Sequence, residues 1–407
     1  MSSSAYNAPV EVSRLQRAAL IVGVIGLVVL GIGLVVDRSQ FWRSYLTGYL
    51  FWLGVAVGSL ALLMLQHLTG GGWGMVIRRV LEASTRTLPL MFVLFLPILL
   101  GLHSIYEWTH QEVIDAHPVL KEKARLYLNP TFFSIRAILI FAIWIALAFF
   151  LNRWSLEQDT SASRQITKKM QMLSGPGMVL FVMTVTFAAI DWVMSLDPEW
   201  SSTIFGLLFV AAWALSALAF TVANLAWLTK REPMAHVVAP LHFHDLGKLL
   251  LALVMLWAYF SYSQYLIIWS GNLPEEITWY LPRTRGAWGG IALAVVLLHF
   301  ALPFLFLLSR KFKRDPHKLV LVAVLILVMR YVDLLWVIVP NFSREGFQVS
   351  WMDFASPVGF GGVWLAFFFW QLSRRPLMPT NDPQLPSVLA QAHGHQHSDE
   401  FIDEAAA

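Results

Sequence analysis

Ten apolar stretches run through this chain, each long enough at about twenty residues to cross the ~30 Å hydrocarbon core of a bilayer. They fall near 17–36, 45–66, 87–106, 132–152, 177–196, 203–228, 246–269, 287–309, 318–339 and 354–372. Lipid gives exposed backbone no hydrogen-bond partner, so only helices or a closed barrel can span it. No alternating strand pattern of about ten residues recurs. The reading is an all-α integral membrane protein with ten transmembrane helices. Composition agrees: 57% of residues are hydrophobic and 13% charged, against about 25% charged in a soluble domain. Pro89 and Pro97 predict a kink in the third span.

Lysine and arginine in the short loops set the orientation. With the N-terminus inside, 19 of the 29 basic residues fall on the inner side, Arg78, Arg79, Arg86, Lys168, Lys169 and Arg310 to Arg314 among them, and nine fall outside. The acids Glu107, Glu112, Asp115, Asp197, Glu199, Glu275 and Glu276 lie outside. Both termini are therefore expected in the cytoplasm. The chain divides into a short N-terminal segment (1–15), a ten-helix domain (16–375) and a polar tail (376–407). The first apolar run begins near Arg17 and is long enough to span, so no cleavable leader is expected. The net charge of +4 sits in short loops and calls for no nucleic-acid partner.

The chain has no cysteine, which excludes disulfides, thiolate-held iron–sulfur clusters and covalent c-type haem. Two histidines could ligate a haem b, but His299 in the eighth span has no second pair at matching depth. The tail histidines His393, His395 and His397 form a cluster of metal-binding composition without fixed geometry. Thr69-Gly-Gly-Gly-Trp73-Gly is no phosphate-binding motif and reads as a tight inner loop. Residues 107–131 read as an amphipathic surface helix. Trp42, Trp108, Trp200, Trp269, Trp279 and Trp288 fall at predicted interfaces, as an aromatic belt does.

Ionisable groups inside a bilayer are expensive, and each is a candidate for function. Asp191 lies in the outer half of the fifth span with no partner within helical reach. It reads as a proton-exchanging carboxyl or as a cap on the following loop. Arg330 and Asp333 share one face of the ninth span and form either a structural ion pair or an exchange site. His242, His244, Asp245 and Lys248 open the seventh span from the inner side. Tyr259, Tyr262, Ser263 and Gln264 continue it, either as a file that holds water or as polar contacts between helices. His103, Tyr106 and Glu107 cluster at the outer face, as a proton exit, a quinone headgroup site or interfacial residues. Gly54 and Gly58 make a close-packing GxxxG on the second span.

These stretches together resemble a known family. His67-Leu-Thr-Gly-Gly-Gly-Trp73-Gly with Arg78-Arg79, Tyr127-Leu-Asn129-Pro130-Thr-Phe-Phe, and Asp191-Trp192-Val-Met-Ser195-Leu-Asp197-Pro-Glu-Trp200 resemble the NrfD-like polysulfide-reductase membrane subunits. His244-Asp245-Leu-Gly-Lys248 through Ser263-Gln264-Tyr265 to Asn272-Leu-Pro-Glu275-Glu276 is similar to the F subunits of alternative complex III. The resemblance covers residues 15 to 375. It implies two four-helix bundles with two additional helices, in the inner membrane of a bacterium. It also implies a quinol:electron-acceptor oxidoreductase assembled with a homologous ten-helix quinol-binding subunit, an iron–sulfur subunit, multihaem cytochrome c subunits and small membrane subunits. Haem c and iron–sulfur clusters would lie on those partners. This chain would bind no redox cofactor, with a quinone as the one possible exception. The function expected is a proton path through the chain and a docking surface, the alternatives being a quinone site of its own or a purely structural anchor.

Overall fold

The computed structural model describes residues 6–161, 163–342, 346 and 349–390. Ten helices among them are long and apolar enough to cross a membrane, and no strand occurs among the described residues. The spans are Val10–Val36, Arg38–Thr69, Gly72–Leu100, Pro130–Thr160, Arg164–Leu196, Phe205–Leu228, Pro240–Gly271, Gly286–Leu308, Pro316–Asn341 and Met352–Leu372. The chain enters the first span and leaves the tenth on one side, here the terminal face. The long connections 101–129, 197–204 and 272–285 lie on the far face. His393, His395 and His397 lie outside the described residues.

Local chemistry sets the boundaries. Asn129 accepts a hydrogen bond from Phe132 N at 2.9 Å and is followed by Pro130, whose missing N–H costs nothing at the first helical position. Asp315 caps the ninth span in the same way, through His317 N at 2.9 Å. The fourth and fifth helices run well past their apolar cores, as far as Thr160 and from Arg164. The connection 107–131, read as one helix, is a short 3-10 turn and two short helices, Gln111–Ala116 and Pro118–Leu126.

The third span departs furthest from its expected outline. It begins at Gly72, its first half runs to Thr85, and a second helix starts at Leu88. The break falls at Arg86 and Thr87, and Pro89 takes the first turn of the second helix, where its missing N–H costs no hydrogen bond. Gly70 and Gly71, at φ of 65° and 94°, make the reversal from the second span, a conformation glycine adopts without strain. The segment holding Arg78 and Arg79 is thus a buried helix rather than an inner loop, with Arg86 half-buried at its end. Two of the cations assigned to the inner side are therefore interior groups.

Spans two to five pack on one another, as do spans six to nine. The second and sixth are the central pair and are buried on nearly every side. Gly54 and Gly58 face the sixth span, where a Cβ on Gly58 would come within 2.0 Å of Trp213 O. The first span pairs with the tenth through Gly23, Gly26, Gly359 and Gly362, and a Cβ on Gly23 would lie 2.3 Å from Val363 N. In lipid such backbone approach supplies the dispersion that drives helix association. Trp42, Trp108, Trp200, Trp279 and Trp288 are buried, and only Trp269 of the expected belt is exposed. Trp200 stacks on Trp279 with centroids 4.8 Å apart, so most of these rings are packing between connections.

The polar tail also starts later than residue 376. Leu377, Met378, Leu385 and Val388 are buried, and Leu377 N donates to Tyr6 O at 2.7 Å. Gly23→Leu is expected to destabilise the protein by at least about 1–3 kcal/mol through overpacking, and Gly31→Leu, with open space beside it, to change little. Thermal unfolding in detergent compares the two.

Candidate functional site: buried charges across the spans

The terminal end of spans two to five holds a balanced knot of charge. Glu82 is fully buried and sits one turn from Arg78 and Arg79 on the third span. Its Oε1 accepts from Arg78 Nε at 3.0 Å and Ser155 Oγ at 2.5 Å, and its Oε2 from Arg79 Nη1 at 2.7 Å. Arg375 Nη1 lies 3.5 Å from Glu82. Arg78 also reaches Asp382 at 2.8 Å and Gln158 at 2.9 Å, while Arg79 pairs with Asp159. Three guanidiniums meet three carboxylates there, drawn from the third and fourth spans and the segment after the tenth. Glu82 stands at helical spacing from Arg78 and Arg79 and can be matched to them from sequence, whereas Ser155, Arg375 and Asp382 carry no such signal. Their partners lie up to 304 positions away, so only the fold could reveal them.

Asp191, expected without a partner, has one. Arg136, from the fourth span, binds it through both nitrogens, Nε to Oδ2 at 2.7 Å and Nη2 to Oδ1 at 3.0 Å. The guanidinium lies 3.8 Å over the Tyr127 ring and donates to Tyr127 O at 3.1 Å. Ser195 Oγ returns a hydrogen bond to Asp191 O at 2.5 Å. The two motifs around Tyr127 and Asp191 thus form one far-face joint. Helical reach was the wrong search radius, because the partner sits 55 positions back on a neighbouring helix.

His103, Tyr106 and Glu107 do not converge on a slot for a quinone headgroup. The Tyr106 hydroxyl is buried and already donates to Trp192 O at 3.0 Å. Burial pushes that phenol well above its ordinary range, with the Asp191 carboxylate adding to the effect. His103 is exposed and stacks on His110 at 3.9 Å. Asp191 has both oxygens on Arg136. The donors a quinone would need are enclosed, engaged or scattered, and the residues do not fit that group here.

On the terminal face, His242 is buried and its Nδ1 caps the seventh span by accepting from Ala239 N at 3.0 Å. Lys248 donates to Asp245 at 3.1 Å, and His244 Nδ1 lies 3.8 Å from the same carboxylate. Above Lys248, residues 249–256 are all apolar, and the next polar ring, Trp257, is about 13 Å further along the helix. Tyr259 and Tyr262 are exposed, 63% and 62%, on the outward side of the seventh span. Gln264 is buried at the far end, accepting from Ser202 Oγ at 3.0 Å. Ser263 is half-buried. These residues are therefore not one interior file: the entrance, the exposed tyrosines and Gln264 lie apart.

The remaining candidates do meet. Arg330 Nη1 pairs with Asp333 in the core of the second group, with Phe209 beneath the guanidinium at 5.6 Å. His299 faces them from the eighth span within electrostatic reach of Arg330. It is fully buried, edge-on to Trp257 at 4.3 Å, and among the described residues neither ring nitrogen has a partner. Arg330 Nε is also unpartnered. Residues Val295–Ala301 around His299 form a π-helix, an interruption that concentrates at functional sites. A last pairing ties the second span to the tenth at the far face, where Asp353 accepts from Ser44 Oγ at 2.6 Å and Gln40 Nε2 at 3.0 Å, 3.8 Å from Arg43.

No protein-family model matches the chain, and no curated protein matches it.

Among the described residues no group of three or more histidines and carboxylates is placed to hold a metal ion. Of the buried charges, the Glu82 knot and the Asp191 joint have their hydrogen-bonding atoms largely filled. The His299–Arg330–Asp333 cluster does not, and free valences are what proton exchange requires. Replacing Glu82 by Gln is expected to lower stability by about 3–5 kcal/mol, since it strands buried guanidiniums. Thermal unfolding would show this, and a smaller loss in the double variant Glu82→Gln/Arg78→Gln would identify the stranded charge as the cause.

Proposed function

We propose that this chain is a multi-pass subunit of a bacterial inner-membrane quinol:electron-acceptor oxidoreductase, of the NrfD-like type and similar to the F subunit of alternative complex III. In this reading it passes no electrons, supplies a proton-conducting route and docks against a related ten-helix quinol-binding subunit. The motifs that carry the resemblance span residues 15 to 375. Support for the architecture comes from the packing of spans two to five and six to nine, with the first and tenth paired alongside. That arrangement suits two four-helix bundles and two additional helices, and both termini would then lie in the cytoplasm.

The observation that carries the proton route is His299, a fully buried imidazole with two unpartnered nitrogens beside a buried Arg330–Asp333 pair. A neutral imidazole has one acceptor and one donor nitrogen, so it can receive a proton on one side and release it on the other. Asp333 would take that proton while Arg330 holds the carboxyl in place and sets its charge. Protons would enter past His242, His244, Asp245 and Lys248, and the apolar stretch 249–256 would be crossed by water. Asp191 becomes a structural group in this scheme. The docking face is the outward side of the seventh span, where Tyr259, Tyr262 and Tyr265 are exposed and make no side-chain hydrogen bond among the described residues. Hydroxyls left in lipid are costly, and a partner helix would cover them.

The test is Asp333→Asn and His299→Leu, singly, in the complex assembled in vesicles. Quinol oxidation is expected to persist while protons moved per electron fall toward those that oxidation itself releases. Asp191→Asn is expected to leave the proton yield of the assembled complex unchanged. Wild-type proton yield in both core variants would sink the route and leave a structural subunit.

A further inference from the structure

A cleft of about 540 Å³ opens on the far face at the start of the eighth span, lined by Asp197, Arg283, Arg285, Trp288 and Asn341 among others. Its floor is unusual. Arg283 is buried, with Nη1 2.5 Å from Trp279 O and Nη2 2.8 Å from Val337 O and 2.7 Å from Asn341 Oδ1. The guanidinium lies 3.7 Å over the Trp279 ring. All these acceptors are neutral, no carboxylate lies within ion-pairing distance among the described residues, and Nε has no partner. Burial holds Arg283 down at about 9, while the Asp197 carboxylate acts in the opposite direction. A buried cation held without a counter-ion marks a place where an anion arrives.

The rest of the cleft repeats that pattern. Arg285, two residues on, is exposed and has no ion pair among the described residues. The eighth span begins at Gly286, so its first N–H groups and the positive end of its dipole open on the same space. Asp197, half-buried, has no cationic partner within ion-pairing distance either. Glu199, also on the lining, is engaged by His117 at 2.7 Å. The cleft therefore offers a doubly basic pocket and one free carboxylate. Below it, Ala287, Gly290, Leu293 and Leu297 form an exposed stripe at helical spacing along the eighth span. Beside Gly290 nothing lies within 4 Å of where a Cβ would stand.

We propose that this cleft binds the headgroup of a zwitterionic, amine-bearing phospholipid, its phosphate on Arg283 and Arg285, its ammonium on Asp197 and one acyl chain along the groove at Gly290. Two guanidiniums and a helix N-terminus suit a phosphate diester, because the planar fork of arginine matches its oxygens. The apolar stripe selects a lipid over free phosphate, since it leads from the pocket down a membrane-facing span. Asp197 selects for the ammonium, because a neutral polyol in its place would leave the carboxylate without a counter-charge. Trp288, at the edge of the eighth span, lines the pocket at headgroup depth. This site is separate from the proton route and stands or falls independently of it.

The experiment is native mass spectrometry of the full chain in detergent, after delipidation, with phosphatidylethanolamine, phosphatidylglycerol or inorganic phosphate added in turn. One phosphatidylethanolamine should be retained in preference to phosphatidylglycerol. Arg285→Gln and Gly290→Leu should each weaken retention roughly tenfold, as loss of a charge-assisted contact or of the groove predicts. Both positions are exposed, so thermal unfolding should stay at the wild-type value. Asp197→Asn should abolish the preference between the two lipids while retaining both. Unchanged retention in Arg285→Gln and Gly290→Leu overturns the site. A preference for phosphatidylglycerol overturns the assigned headgroup, and binding of inorganic phosphate with no lipid adduct overturns the lipid.

Discussion

Glu82 is the group on which the terminal half of this protein depends. One carboxylate, fully enclosed, gathers Arg78 and Arg79 from its own helix, Ser155 from the fourth span and Arg375 from beyond the tenth. Removing charges from water costs several kcal/mol each, and the cost is offset only when every lone pair and proton finds a partner. Here each arginine meets a second acid, Asp382 or Asp159, or a backbone oxygen, Asn152 O in the case of Arg375. The result fixes where the chain after the tenth span lies. It also explains why residues after 375 are part of the fold.

The spans divide their charges by how completely they are satisfied. The Glu82 knot and the Arg136–Asp191 joint are hydrogen-bonded on both sides, as groups that hold helices together must be. The His299 cluster sits where the eighth helix loses its regular bonding, and among the described residues its imidazole has no hydrogen-bond partner and lies edge-on to Trp257. A buried polar group kept without partners is tolerated only where something repays it, and proton exchange is one such return. The division separates residues that resemble one another in sequence, since Asp191 and Asp333 are both single acids in apolar helices.

Much of the architecture was legible because crossing lipid imposes a length and a composition on each segment. All ten spans follow from that requirement, and errors arise where it is locally relaxed. Gly72–Thr85 reads as a loop because it carries two arginines and a glutamate, yet inside the fold these charges are balanced together with Asp159, Asp382 and Arg375. The fourth and fifth helices outrun their apolar cores because backbone beyond the bilayer can stay helical without being hydrophobic. Pairings were less legible. Arg330 and Asp333 share a helix face and could be matched from spacing, whereas Arg136 with Asp191 and Arg78 with Asp382 depend on which helices become neighbours. The glycines at 23, 26, 359 and 362 went unread for the same reason, since a small residue has meaning only against the surface it meets.

The π-turn at Val295–Ala301 makes the eighth span a matter of phase as well as length. Such a turn accommodates one more residue than an α-helix within the same rise, so everything after it is rotated by about 100° relative to an unbroken helix. His299 sits inside that insertion. The angular position of the imidazole is thus decoupled from the lipid-facing stripe that precedes it, at Ala287, Gly290 and Leu293. The upper part of the helix can answer to the membrane while its middle answers to Arg330. Loss of a single residue would restore regular helix geometry and still span the bilayer, yet it would force one of the two surfaces out of register.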